Sequence, residues 1–229
     1  MLLAVTRLAD NLTPASKINL IEKPMTEFWE SAFVDKQAMW GFTPTLSAIT
    51  TKDFFLAQGV KNVLIPGFGY GRNAEVFRQN GMDVTGIEIS KTAIELAHNR
   101  YGTDLKIFHG SVTDMPFDET KYDGVFCFAL IHLLDMPERI KLIRDCYSQL
   151  NSGGYMVFVT ISKEDFRFGV GTQVDTDRFE RIPGVTIFFY DTYSVNREFG
   201  AYGLVGVTQV DEPTLNQPLQ NFLLVTCKK

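Results

Sequence analysis

Val63-Leu64-Ile65-Pro66-Gly67-Phe68-Gly69-Tyr70-Gly71-Arg72-Asn73, followed after a short helix by Val84-Thr85-Gly86-Ile87-Glu88, decides how the rest of this chain is read. A buried apolar strand runs into a turn with glycine at every second position. Glycine takes positive φ without strain and lets a ligand approach the backbone closely. Ala74, Val76 and Phe77 begin a helical pattern at once, so the turn brings free N–H groups and a helix N-terminus to one place. The next apolar strand ends on Glu88, about twenty positions after Gly67, the spacing that puts a carboxylate at the tip of the neighbouring strand and within reach of a ribose diol. These parts predict a site for a nucleoside-bearing cofactor.

Working outward, strands are predicted over Val63–Pro66, Val84–Ile89, Leu105–Phe108, Tyr122–Phe128 and Tyr155–Ser162. Helices fall between them: one from Asn73 to Asn80-Gly81, one over Lys91–Arg100 capped by Ser90, and one opened by Asp135 with Pro137 in its first turn. That alternation argues for a parallel doubly wound sheet. Residues 163–186 are polar and broken by glycine, and are read as a loop. An apolar run at Thr186–Tyr190 and a short helix at Asp191–Phe199 follow. Leu204–Val210 and Asn221–Thr226 are too close in sequence for a crossover helix and are expected to pair antiparallel. Upstream, Leu46–Phe55 reads as a helix ending near Gly59. Met25, Phe28, Trp29, Phe33, Met39, Trp40 and Phe42 crowd an aromatic segment before it. Residues 1–24 read as a helix or a loosely held arm. The expected organisation is a helical and aromatic lid over 1–54 and one cofactor-binding domain over 55–229.

The 229 residues, 45% of them hydrophobic, suffice for one sizeable core. A formal net charge of −5 argues against a nucleic-acid partner. The three cysteines lack metal-ligand spacing and read as buried free thiols in a reducing compartment. No metal site is expected. The opening Leu2-Leu3-Ala4-Val5 is too short for a signal segment, and no stretch is long enough to span a membrane, so a cytoplasmic protein is expected. The reading allows a homodimer.

The dinucleotide fingerprint wants a small residue at position 72, where Arg72 stands, and here the third glycine arrives one position early at Gly71. The G-x-G-x-G form resembles motif I of the class I S-adenosylmethionine (SAM) methyltransferases. Gly86-Ile87-Glu88-Ile89-Ser90, Gly110-Ser111-Val112 and Tyr122-Asp123-Gly124-Val125 extend the likeness over residues 55–229. Trp40-Gly41-Phe42-Thr43-Pro44 and Leu64-Ile65-Pro66-Gly67 are similar to the branch that methylates thiols, thiopurines or thiocyanate. Gly69-Tyr70-Gly71-Arg72-Asn73 is also similar to the tellurite-resistance methyltransferases. The resemblance implies a Rossmann-like seven-stranded α/β sheet, mostly parallel with an antiparallel terminal strand.

It implies a SAM-dependent enzyme that releases S-adenosylhomocysteine. By motif position, Gly67, Gly69 and Gly71 line the methionine end, Glu88 holds the ribose hydroxyls, Ile89 packs on adenine, and Ser111 and Val112 meet its edge. Phe128 and Ala129 offer backbone groups to the methionine moiety. Arg72 is either a ligand of the methionine carboxylate or a surface arginine, and Trp40 either covers the cofactor or packs on the core. Two departures stand out: Ser111 and Ile65 occupy positions where many relatives carry Asp.

A sulfonium is already a strong electrophile, so the protein need only align a nucleophile and exclude water. A thiol needs little base assistance, whereas an oxygen or amine needs a general base. His132, just after the fourth strand, is the candidate catalytic base, with a structural role as the alternative. The expected acceptor is a small apolar or aromatic molecule, a thiol first and an amine or hydroxyl otherwise, in a pocket lined by Phe166, Phe168 and Tyr190. The competing readings are a non-catalytic SAM- or adenosine-binding protein and a nicotinamide-dependent dehydrogenase.

Overall fold

Seven strands form one sheet in the order β3-β2-β1-β4-β5-β10-β9. They are β1 (Asn62–Pro66), β2 (Asp83–Glu88), β3 (Lys106–His109), β4 (Tyr122–Phe128), β5 (Leu150–Ile161), β9 (Leu204–Glu212) and β10 (Gln220–Lys228). The computed structural model describes residues 25–213 and 218–229, so the arm read at 1–24 lies outside the described residues. β3, β2, β1, β4 and β5 are mutually parallel, while β10 runs antiparallel between β5 and β9. The helices are α1 (Met25–Lys36), α2 (Leu46–Ala57), α3 (Ala74–Arg78), α4 (Lys91–Tyr101), α5 (Met136–Gln149) and α6 (Thr192–Phe199). None among the described residues is long and apolar enough to cross a membrane.

The sheet is covered on both faces, which is why its central strands read as unbroken apolar runs. Side chains alternate with period two. Leu64, Val125, Cys127 and Phe158 face one layer with α5 and α6. Val63, Ile65, Phe126 and Val157 face the other, with Phe55 and Phe77. All three cysteines are free and buried. The predicted caps form: Ser90 starts α4, and Asp135 makes a capping box with Glu138 on α5.

Two expectations are corrected. β5 begins at Leu150, not Tyr155, because Leu150 already pairs with Tyr122 across a bulge that absorbs the Gly153-Gly154 stretch. Residues 163–186 are not simply a loop. They contain an antiparallel meander of β6 (Thr172–Asp175), β7 (Arg178–Ile182) and β8 (Val185–Phe188). All four residues of β6 are exposed, so no alternation of apolar and polar residues marks it. Its ladder with β7 makes it a strand.

Two acidic side chains fasten the first helices to the sheet. The Glu30 carboxylate of α1 accepts from the hydroxyls of Ser90 and Thr92, both at 2.6 Å, at the start of α4. Those bonds hold its pKa below the usual carboxylate value. Glu212, at the end of β9, accepts from the N–H groups of Leu46 (2.9 Å) and Ser47 (2.7 Å) and from the Ser47 hydroxyl. It supplies negative charge at the N-terminus of α2, where the helix dipole favours it.

Candidate cofactor and acceptor site

The carboxyl ends of β1, β2, β3 and β4 meet at the glycine turn, the place where open α/β sheets receive ligands. Gly67 and Phe68 both donate their N–H to the Ile87 carbonyl at 3.0 Å, which ties the turn to the tip of β2. The Gly69 N–H donates to Glu88 Oε2 at 2.7 Å, and the Ser90 N–H donates to Glu88 Oε1 at 2.9 Å. Glu88 is buried, 6% exposed. Burial pushes its carboxyl above the usual carboxylate range, against the pull of the N–H groups of Ser90, Gly69 and Ile89.

The three turn glycines have different reasons to be glycine, although all take positive φ, at 71°, 57° and 84°. A Cβ on Gly67 would lie 3.0 Å from the Leu130 side chain, and one on Gly71 would lie 3.0 Å from Phe68 and 3.2 Å from Tyr101. One on Gly69 would meet nothing within 4 Å. Gly69 alone of the three faces open space, with its N–H anchored to Glu88. Phe68 is accommodated from below by Gly86, where a Cβ would sit 2.4 Å from its ring.

The segment before α2 is bound to this turn. Tyr70 donates its hydroxyl to the Gly41 carbonyl at 2.7 Å and accepts from the Trp40 N–H at 3.1 Å. Trp40, 47% exposed, stacks on Tyr70 with 14° between the rings. Arg72 donates Nη1 to the Trp40 carbonyl at 2.9 Å, and burial holds its pKa below that of a free guanidinium. Arg72 is thus spent, at least in part, on the aromatic segment. Asn73 accepts from the Thr45 N–H at 3.0 Å.

On the β3 side, Ser111 Oγ accepts from the Thr113 N–H at 3.2 Å and caps a short turn. The Val112 side chain belongs to the core with Leu64 and Ile87. The half-buried Ile89 is fixed through its carbonyl, 3.1 Å from His109 Nε2. After β4, Ala129 takes the left-handed region at φ 53°, a strained conformation for a residue with a Cβ, and spends its N–H on the Val159 carbonyl at 2.9 Å. Phe128 packs its ring on Phe222, 5.6 Å between centroids.

His132 is buried. Its Nδ1 accepts the Ile161 N–H at 3.2 Å, with the Thr160 hydroxyl 3.4 Å away. That network assigns the ring proton to Nε2. Burial, then the charge of Arg167, lower its pKa to about 3, with Asp165 pulling the other way. Tyr190 is fully buried and donates to Glu198 at 2.7 Å, so it leaves the predicted pocket lining. Phe166 and Phe168 remain exposed.

Sequence reasoning missed Glu30, Glu212 and the Asp165–Arg167 pair. Asp165 accepts from Arg167 Nε at 2.6 Å, Nη2 at 3.0 Å and its N–H at 2.9 Å, and from the Asn221 N–H at 2.8 Å. The only available signal was the D-x-R spacing, which is common on surfaces.

Residues 64–158 match the methyltransferase domain family. A ubiquinone biosynthesis O-methyltransferase of Vibrio vulnificus is 29% identical over 107 residues, 45% of this chain and 45% of that protein. The chain thus spans less than half the length of the curated relatives it matches. The fold is shared with a Burkholderia thailandensis 1,6-didemethyltoxoflavin N1-methyltransferase solved with that compound and S-adenosylhomocysteine. That match has a TM-score of 0.69 and 16% identity and covers 89% of this chain and 86% of that one. It is shared also with the N-methyltransferase NodS of Bradyrhizobium japonicum, solved with S-adenosylhomocysteine, at a TM-score of 0.64 and 15% identity, over 89% and 98% of the two chains.

Proposed function

We propose that this chain, which matches the methyltransferase domain family over residues 64–158, is a class I SAM-dependent methyltransferase that binds SAM across the glycine turn and transfers its methyl group to a small acceptor. One observation carries the reading: the open face of Gly69 lies beside a buried Glu88 that holds the Gly69 N–H. When bound, SAM supplies an electrophilic methyl group on a sulfonium. The residues present fit it. Glu88 keeps acceptor capacity for a ribose diol, since the N–H groups of Gly69, Ser90 and Ile89 leave part of the roughly four acceptor sites of a carboxylate open. Ser111 Oγ has acceptor capacity toward an adenine amino group, and Ile89 offers an apolar flank.

Trp40–Thr45, bound to the turn through Tyr70, Arg72 and Asn73, closes the methionine side and keeps water out. In this reading Arg72 acts through that segment. His132 orients the loop after β4, because Nδ1 is occupied and the ring is neutral. A small apolar or aromatic acceptor, a thiol first, reaches the site past Phe166 and Phe168. The matched relatives act on oxygen by name, which supports a hydroxyl as the second choice.

Glu88→Ala tests the reading. Losing a charge-assisted grip on two hydroxyls is expected to weaken SAM binding on the order of a hundredfold or more, read by calorimetry. Unchanged affinity would remove the proposal. Tight SAM binding with no S-adenosylhomocysteine released across thiols, phenols and amines would favour the non-catalytic alternative. Binding of a nicotinamide dinucleotide but not SAM would favour the dehydrogenase.

A further inference from the structure

A cavity of about 140 Å³ lies between α5, α6 and the β6–β8 meander, lined by no residue of the glycine turn. Three arginines line it: Arg139 of α5, Arg178 of β7 and Arg197 of α6. Two of them meet at one atom. The Leu134 carbonyl accepts from Arg139 Nη1 at 3.2 Å and from Arg178 Nη1 at 2.9 Å. Two like charges thus share a single neutral acceptor, an arrangement that an anion beside them relieves.

The neighbouring carboxylates do not balance the three. Glu198 accepts from Arg139 at 2.8 and 3.1 Å and from Arg197 at 3.0 Å, so one buried acid serves two guanidinium groups. Arg178, half-buried, has no ion pair among the described residues. Its Nε (2.9 Å) and Nη2 (2.6 Å) go to the Thr186 hydroxyl and its Nη1 to Leu134, all neutral acceptors. One N–H remains on each Nη. Burial, then the charge of Arg139, hold its pKa below that of a free guanidinium, while Asp135, Glu138 and Asp175 pull the other way. Two acids also line the cavity. Asp177 is ion-paired with Lys163 at 2.6 Å. Asp175 is exposed and stands opposite Arg178 in the β6–β7 ladder. Its Oδ1 accepts the Thr176 N–H at 2.7 Å, and its Oδ2 has no partner among the described residues. It is the acid there left to oppose an anion.

We propose that this cavity binds a small oxyanion, a phosphate or carboxylate group, with Arg178 and Arg197 as its donors and the fixed charge of Arg139 beside them. The site is separate from the cofactor site and does not rest on the methyltransferase reading. An oxyanion brings the lone pairs that the spare N–H groups require and the charge that Arg178 lacks, and a planar guanidinium suits its geometry. The volume is well below the roughly 300–1,000 Å³ of pockets that enclose drug-sized ligands, which limits the enclosed part to one such group. Where that group belongs to a larger molecule, the remainder lies outside, past the exposed Asp175 and Met136.

The test titrates inorganic phosphate, acetate and their phenyl counterparts, phenyl phosphate and benzoate, into the full chain by calorimetry, with sodium chloride at matched ionic strength as the blank. The tightest of the four, at about ten times its Kd, should raise the thermal midpoint by about 3–6 °C over the chloride blank. Arg178→Gln should raise that Kd on the order of ten- to a hundredfold, and Arg178→Lys should raise it less. Asp175→Asn removes the opposing acid and should lower the Kd about two- to fivefold. A purely structural Arg178 would not give those opposite shifts. Because Asp175 is exposed, its variant and the wild type decide the matter even where Arg178→Gln fails to fold. Tighter binding of a phenyl compound than of its parent anion would support the site as one for an oxyanion group on a larger molecule. Equal or weaker binding would support a free anion. No binding above the blank, an unchanged Kd in folded Arg178→Gln, or unchanged or weaker binding in Asp175→Asn would each overturn the proposal. No SAM enters these measurements, so their failure leaves the methyltransferase reading standing.

Discussion

The two halves of the site are held by different means. On the glycine-turn side the fastenings are backbone N–H groups given to a carboxylate and a carbonyl of the neighbouring strand, as Gly69 gives to Glu88 and Gly67 to Ile87. On the side built after β4 they are ion pairs between side chains: Arg139 with Glu198, Arg167 with Asp165, which also takes the Asn221 N–H of β10, and Lys163 with Asp177 and Asp191. The first kind is written in a short motif. In the second, Arg139 with Glu198 and Lys163 with Asp191 exist only once separate elements have packed together.

The largest expected effect separates the two. Arg139 is 2% exposed and makes a two-pronged bond to Glu198, at 2.8 and 3.1 Å, while its guanidinium carbon sits 4.0 Å from the Phe188 ring centre. Arg139→Ala leaves Glu198 buried with Tyr190 and the half-exposed Arg197 as partners. Removing one member of a buried pair costs about 3–5 kcal/mol, so thermal or denaturant unfolding should show a loss of that size. SAM affinity in the folded fraction should be unchanged. A fall in affinity would show that the two halves are coupled and that the contrast is too sharp.

A smaller pair of substitutions sharpens the cofactor side. Gly86→Ala drives a methyl into the Phe68 ring, 2.4 Å from where the Cβ would stand. Overpacking of this kind costs about 1–3 kcal/mol in denaturant unfolding. Gly69→Ala meets no neighbour and carries only the strain of φ 57°, about 1–2 kcal/mol. Its methyl projects into open space, where the proposed function seats the ligand, so calorimetry should find SAM affinity lowered about tenfold or more by Gly69→Ala. Gly86→Ala should change affinity less relative to the stability it loses. The reverse ranking would mean that Gly69 is not the open glycine.

That pair also marks where sequence reading stopped. The glycine turn, Glu88, the caps at Ser90 and Asp135 and the antiparallel terminal strands were legible, because each rests on a local rule of backbone geometry or periodicity. The turn's three glycines were read alike, yet Gly71 answers to Phe68 and Tyr101 rather than to open space. Nothing in a linear pattern says which ring will lie against which glycine. Glu30 and Glu212 were invisible for the same reason. Each is an ordinary acid until α1 meets α4, or the end of β9 meets the start of α2, 166 positions away. The meander of β6 to β8 escaped because its outer strand buries nothing and its register comes from a partner.

An effect that is small near neutral pH and grows in acid falls on the loop after β4. His132 has a folded-state pKa of about 3 because the ring is buried beside Arg167, against an ordinary value of 6.5. Between those values the unfolded chain binds a proton that the folded chain does not. The contribution to stability is therefore fully present above about pH 6.5 and declines as pH falls toward the folded value, by about 1.4 kcal/mol per unit at most. His132→Gln keeps an acceptor for the Ile161 N–H and does not titrate. Its unfolding free energy should therefore fall less steeply than wild type between about pH 6.5 and about pH 4.5, the two curves diverging as the medium becomes more acidic. Parallel curves would mean that the ring accepts a proton in the folded state, and His132 would again be a candidate base.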